Sequence, residues 1–152
     1  MNLVYSAAAI ADIDEILPSL RDADREEVGL MSRWSVRDAL IVSVTRAPAY
    51  TVRIDGNIAA IFGAPPASVV TDSATPWIVS TDVMTAHPLV AARHNWRIVE
   101  TWKKHHRHLF NYVHAGNALA IKWLKWLGFT LHDEAPYGPY NAPFRQFEWT
   151  AS

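Results

Sequence analysis

The side chains able to do chemistry are few and unevenly placed. The chain has no cysteine, which excludes a thiolate nucleophile, a thiolate metal site and any disulfide. Three of its seven histidines crowd into Lys103-Lys104-His105-His106-Arg107-His108. Imidazoles invite zinc, but His105, His106 and His108 do not share a helix face well. No cysteine or clear carboxylate partner stands nearby, so no metal site is expected. The same run belongs to a region, residues 93–125, with seven cations (Arg93, Arg97, Lys103, Lys104, Arg107, Lys122, Lys125) against one acid, Glu100. Such a concentration reads either as a solvated helix face or as a site for an anion. Residues 1–40 lean the other way, with eight acids and four cations. The carboxylates available as a general base are Glu26, Glu27 and Asp55, and all three read as solvated surface groups.

Composition sets the frame for these groups. A chain of 152 residues, half of them apolar and 19% charged, is long enough for one domain with a real core and is not disordered. Seven tryptophans must serve largely as core or interface anchors. The net charge of −1 gives no general attraction to nucleic acid, and only the 103–108 cluster speaks for it. The start of the chain lacks the basic and long apolar parts of a signal peptide, and no run approaches the ~18–20 apolar residues of a membrane span.

The elements that must position the chemistry centre on residues 111–129, Asn-Tyr-Val-His-Ala-Gly-Asn-Ala-Leu-Ala-Ile-Lys-Trp-Leu-Lys-Trp-Leu-Gly-Phe. Residues 109–114 are apolar and short, as in a buried strand. Gly116 breaks the run, and Asn117 is placed to cap the helix that follows. Ala118, Ile121, Leu124 and Leu127 recur at helical spacing, widened by Ala120, Trp123 and Trp126. Only Lys122 and Lys125 are charged, so most of this helix is expected to be covered. Trp77, Trp123, Leu124, Leu127 and Phe129 are expected in the core.

The rest of the chain reads as a first strand at 2–7, a helix at 11–20 interrupted by Pro18, and a polar stretch from Asp22 to Glu27. A second helix is capped by Ser35, with Val36, Leu40 and Val44 on one face. A hairpin over 49–62 turns at Asp55-Gly56. A loop spans 64–73 and a short strand 76–80. A long helix runs over 88–108, with Leu89, Ala92, Trp96, Val99 and Trp102 along one stripe. Two final strands, 130–133 and 144–150, flank a Pro- and Tyr-rich loop.

The spacing Asn-x-x-Ala-x-x-x-Leu-x-x-x-Gly-Phe over 117–129 resembles the last motif of the GNAT superfamily of N-acetyltransferases. Together with residues 20–44, Asp55-Gly56-Asn57, 77–82 and 110–129, the chain resembles the GNAT-like proteins of tailed phages, related to the internal virion protein A of T7-like phages. The resemblance implies a single-domain α/β GNAT-like fold over 1–152. It would have a mixed six- or seven-stranded sheet, splayed in the middle, with about four flanking helices. It implies contacts to acetyl-CoA, where acetyl-CoA binds, at Ser80, Thr81, Asp82, Val83, Asn117 and Leu124.

Two departures from the family pattern bear on function. The stretch Thr-Asp-Val-Met-Thr-Ala-His-Pro-Leu over 81–89 holds no glycine, although glycines let a loop backbone approach a pyrophosphate at a helix N-terminus. Pro88 removes a donor there, and Asp82 adds a repulsive charge. Leu124 stands where many members carry a tyrosine general acid, which leaves Tyr112, Tyr137 and Tyr140 as stand-ins. The resemblance therefore implies a phage virion structural or assembly protein that has kept the fold without tight acetyl-CoA binding. Its partners would be other phage or host proteins, in the host cytoplasm or the virion. The alternative it implies is an active acetyl-CoA-dependent N-acetyltransferase acting on a protein or small amine.

Overall fold

The computed structural model describes residues 1–152. Strand β1 (Leu3–Ala7) leads into three helices, α1 (Ile10–Ile16), α2 (Asp22–Met31) and α3 (Val36–Arg46). The hairpin β2 (Ala49–Ile54) and β3 (Asn57–Gly63) follows, then the short strands β4 (Pro66–Ser68), β5 (Ser73–Ala74) and β6 (Trp77–Ser80). A one-turn helix α4 (Asp82–Thr85) and the long α5 (Pro88–His105) precede β7 (His108–His114), α6 (Ala118–Trp126), β8 (Thr130–Tyr137) and β9 (Ala142–Thr150).

The α/β architecture read from the sequence forms, with more elements than its pattern showed. The strands β4 and β5 and the helix α4 are too short to leave a periodic signal. The polar stretch 22–27 is the first half of α2, whose apolar residues come only later, at Val28, Leu30 and Met31. Pro18 ends α1 early, in a single 3-10 turn (Leu17–Ser19). Ser35 caps α3 as expected, its Oγ accepting the Asp38 N–H at 3.1 Å.

The strands form two sheets, β1-β2-β3-β6 and β4-β5-β7-β9-β8. Their separation has a local cause. Strand β5 pairs in parallel with β7, Ser73 with His108 and Ala74 with Leu109. The next residues are Thr75 and Pro76, and proline has no N–H with which to continue a ladder. The Pro76 carbonyl instead accepts the Asn111 side-chain amide at 3.0 Å. Strand β6 then pairs antiparallel with β3, from Trp77 opposite Gly63 to Ser80 opposite Ala60. One extended segment thus belongs first to one sheet and then to the other, and β6 diverges from β7.

Apolar side chains fill both faces of the first sheet. Ile13, Ile16 and Leu40 from α1 and α3 pack with Ile58, Ile61 and Val79, while Met84 and Ala91 cover Val52, Ala60 and Phe62. A third cluster joins Val99, Leu127 and Phe129 to Leu109, Val113 and Phe147 of the second sheet. Two expectations about α6 need correcting. Leu127 and Phe129 are buried, but Trp77, Trp123 and Leu124 are only half-buried, because they border an open cleft. No residue within α6 is fully buried, and Trp126 is 52% exposed. No helix is long and apolar enough to cross a membrane.

The loop expected over 135–143 is a tight turn between β8 and β9. At Gly138, φ is +78°, and an added Cβ would lie 2.7 Å from the Leu30 carbonyl oxygen. Gly56 in the β2–β3 turn also has positive φ, +84°, but open space around it. Gly56→Ala therefore carries only the left-handed backbone cost, ~1–2 kcal/mol. Gly138→Ala adds a clash with the α2 backbone and is expected to cost ~3 kcal/mol. Urea unfolding of both variants checks this, and equal losses would place the turn away from α2.

Candidate active site

The divergence of β6 from β7 leaves a cleft of about 490 Å³, lined mostly by apolar side chains from α2, α3, α5, α6 and both strands. The edges of the two strands show what the gap needs. The Ser80 N–H points away from β3 and donates to Asp24 Oδ2 at 3.0 Å. By the alternation of a strand, Ile78 turns its N–H and C=O to the same side. On β7, the Tyr112 N–H donates to its neighbour's Asn111 Oδ1 at 2.8 Å. The His114 N–H donates to Glu27 Oε1 at 2.8 Å. Two carboxylates one turn apart on α2 thus accept the donors that a missing strand would have satisfied.

These carboxylates sit in a compact polar network. Arg21 Nη1 lies 3.1 Å from Asp24 Oδ1, and the Ser80 hydroxyl adds a bond to Asp24 Oδ2 at 3.2 Å. Asn117, 1% exposed, was expected to cap α6, but its side chain makes no cap bond. Its amide nitrogen donates to Asp24 Oδ1 at 3.2 Å and to Glu27 Oε1 at 3.3 Å. Arg21 Nη2 reaches its oxygen at 3.5 Å. Asn117 therefore joins α2 to the start of α6.

The expectation that Glu27 is a solvated surface group is overturned. It is half-buried on the cleft wall, and burial pushes its carboxyl up to about 7. The charge of Asp24 pushes the same way, against the bonds from His114 and Asn117 and the charge of Arg21. Glu26 does face solvent, and so does Asp55, which accepts the Asn2 N–H in the β2–β3 turn. Across the cleft, burial brings His94 down to about 4, so that wall is neutral. The sequence did hold a signal for Glu27, since Asp24 and Glu27 are three residues apart on one helix face. Reading 22–27 as a mere polar stretch hid it.

The other expected site residues are scattered. Tyr112 lines the cleft and stacks on Tyr137, with ring centroids 3.9 Å apart. Burial and the neighbouring Tyr112 raise the Tyr137 hydroxyl above its ordinary value. Tyr140 is 53% exposed, under the Arg33 guanidinium. Ser80, Asn117 and Leu124 border the cleft. The Thr81 N–H donates to the Ala59 carbonyl at 3.0 Å, and the Thr81 hydroxyl accepts the Val83 N–H at 3.2 Å. Asp82 is exposed in the first turn of α4.

The basic run is partly tied down. Lys103 bonds Glu100 and the Leu127 carbonyl and lies over the Trp149 ring. His106 lies 3.4 Å from Asp72, and His108 sits between Ser73 and Glu148. No group of three or more His, Asp or Glu side chains is placed to hold a metal.

No protein-family model matches the sequence, and no curated protein matches it either. Solved structures do match, along nearly the whole chain. An N-acetyltransferase from Staphylococcus aureus Mu50 is 15% identical, with 99% of each chain covered and a TM-score of 0.70. The acetyltransferase of GNAT family from Streptococcus pneumoniae is 13% identical, with 98% and 99% covered and a TM-score of 0.61. A ribosomal L7/L12 alpha-N-protein acetyltransferase in complex with coenzyme A is 10% identical, with 99% and 95% covered and a TM-score of 0.70. At such identities the likeness is one of fold, and the fold is that of the GNAT acetyltransferases.

Removing the Asp24 carboxylate strands the Ser80 and Asn117 donors beside Arg21, so Asp24→Ala is expected to cost ~3 kcal/mol. The exposed Glu26→Ala should cost under ~0.5 kcal/mol, by urea unfolding. Glu27 also makes stability depend on pH. Its folded pKa is raised, so its contribution is fully present below the ordinary 4.5 and is lost as pH rises through about 7. Wild type should lose stability over that window relative to Glu27→Gln. Parallel profiles would make Glu27 an ordinary surface acid.

Proposed function

We propose that this chain is an acyl-CoA-dependent N-acyltransferase in which Glu27 is the general base. One observation carries the reading, a carboxyl at about 7 held on the wall of the cleft between β6 and β7. An amine reaches the cleft largely as an ammonium ion and attacks only after losing a proton. A base whose pKa lies near the working pH is the efficient acceptor of that proton. With Oε1 committed to the His114 N–H and Asn117, Oε2 is the oxygen left to take it. Tyr112, which also lines the cleft, is the residue proposed to return a proton to the leaving sulfur.

When bound, acetyl-CoA supplies the activated acyl thioester. The cleft suits an extended, amide-bearing arm, because the Ile78 edge of β6 offers one N–H and one C=O in strand geometry. Asn117 and Leu124 also line the cleft. The turn after β6 suits phosphates less well. The Thr81 and Val83 N–H groups are already bonded, and the Asp82 carboxylate repels. Arg93 and Arg97, exposed on α5, are the nearest cations in sequence to offset it. Losing two charge-assisted bonds of ~1.5–3 kcal/mol each turns a micromolar ligand into a millimolar one.

The alternative, a structural or assembly protein of a phage virion, rests on the sequence resemblance and on this glycine-free turn. The structural neighbours described above are acetyltransferases, so the acyltransferase reading is the better supported of the two.

Titration calorimetry with acetyl-CoA and a thiol-release assay with an amine panel test the proposal. Weak binding and measurable turnover are expected, with the rate rising through about pH 7. Glu27→Gln should lower kcat by roughly a hundredfold or more. No binding at millimolar acetyl-CoA and no thiol release with any amine would sink the enzyme reading in favour of assembly.

A further inference from the structure

The charged groups of the cleft are few, and they are segregated. Asp24 and Glu27 are its only carboxylates, and Arg21, bound to Asp24, neutralises one of them. Asp24 bonds Ser80 at the end of β6, and Glu27 bonds His114 at the end of β7. The remaining cation of the lining is Arg46, the last residue of α3. It forms no ion pair with any carboxylate of the chain. Its guanidinium stands 6.0 Å from the centre of the Trp34 ring, itself 49% exposed at the cleft.

The backbone of Arg46 lies toward the opposite end of β6, and its side chain reaches back along α3 to Trp34, just before the helix start. The chain leaves α3 and enters β2 at Ala49, opposite Gly63, whose other partner is Trp77. From Trp77 to Ser80 is three strand steps, about 10 Å. The same lining carries the apolar side chains of Val28, Met31, Leu40 and Val42.

We propose that the acceptor is an amine carrying an anionic group at the far end of an apolar spacer, with Arg46 reading the anion. The inference deepens the acyltransferase reading and rests on it. The amine end meets the one carboxylate of the cleft that lacks a cationic partner, and the anion meets the one cation that lacks a carboxylate. A neutral-ended amine of the same length leaves Arg46 unanswered. The Trp34 ring lies beside the guanidinium, whose fork of donors suits a carboxylate.

The test compares ω-aminooctanoate with octylamine, using acetyl-CoA as donor, in wild type, Arg46→Gln and Arg46→Glu. Arg46 is exposed and makes no hydrogen bond, so the variants should keep the wild-type Tm. Wild type is expected to prefer ω-aminooctanoate in kcat/KM by about fivefold, the scale of an exposed charge pair. The ratio should fall to about one in Arg46→Gln and invert in Arg46→Glu. Equal use of the two amines by wild type, or a preference that survives Arg46→Gln, overturns the inference and leaves the acyltransferase reading standing. Calorimetric binding of ω-aminooctanoate separates the two claims. Binding lost in Arg46→Gln supports the anion site even where no acyl transfer occurs, and in that case it is the reaction that fails. Binding unchanged in Arg46→Gln overturns the site.

Discussion

The N–H groups of Ser80 and His114 face a gap where a neighbouring strand would ordinarily satisfy them, and two carboxylates of α2 take that place. Everything distinctive about the molecule follows from this substitution. Pro76 cannot donate, so the segment that starts beside β7 crosses to β3 and opens the gap. An unpaired strand edge in a protein interior carries a desolvation cost for each lost bond. Asp24 and Glu27 remove that cost at the two strand ends, and in doing so they fix α2 across both sheets. The middle of the gap, at Ile78, is left free and lines the cleft.

The same arrangement explains the electrostatics. Asp24 has Arg21, two donors from Ser80 and one from Asn117. Glu27 has a backbone N–H and a share of the Asn117 amide, with Asp24 as a neighbour. Two acids with one cation between them cannot both ionise cheaply away from water. The more sparsely partnered acid, Glu27, is the one that burial and its neighbour drive toward neutrality. A structural repair of a strand edge thereby yields a carboxyl poised near neutral pH, which is what proton removal from an amine requires. Asn117 holds the two acids together, and it is why α6 starts without a side-chain cap.

The sequence made the fold legible because its signals were local. Asp55-Gly56 marked a hairpin and Ser35 a helix start, and each lies where those residues implied. The site was less legible. Glu27 acquires its character from burial on the cleft wall, and its partners His114 and Asn117 lie 87 and 90 residues away, so no local pattern reports either. Asn117 looked like a cap because a cap is the commonest use of asparagine before a helix. Its amide instead serves α2, a helix the pattern had not distinguished from a polar loop. Trp77, Trp123 and Leu124 read as core because apolar residues at helical spacing do not say whether the far side of a helix meets protein or a cleft.

The account stands or falls on the protonation of one side chain. NMR titration of protein carrying a carbon label in the glutamate carboxyls, with Glu27 assigned by its absence from Glu27→Gln, measures this directly. The account predicts a midpoint near 7 for Glu27, with the His114 amide resonance moving through the same midpoint, since the two share a hydrogen bond. A Glu27 midpoint at the ordinary 4.5, with a His114 amide that does not follow it, would contradict the carboxyl bridge and the base it provides.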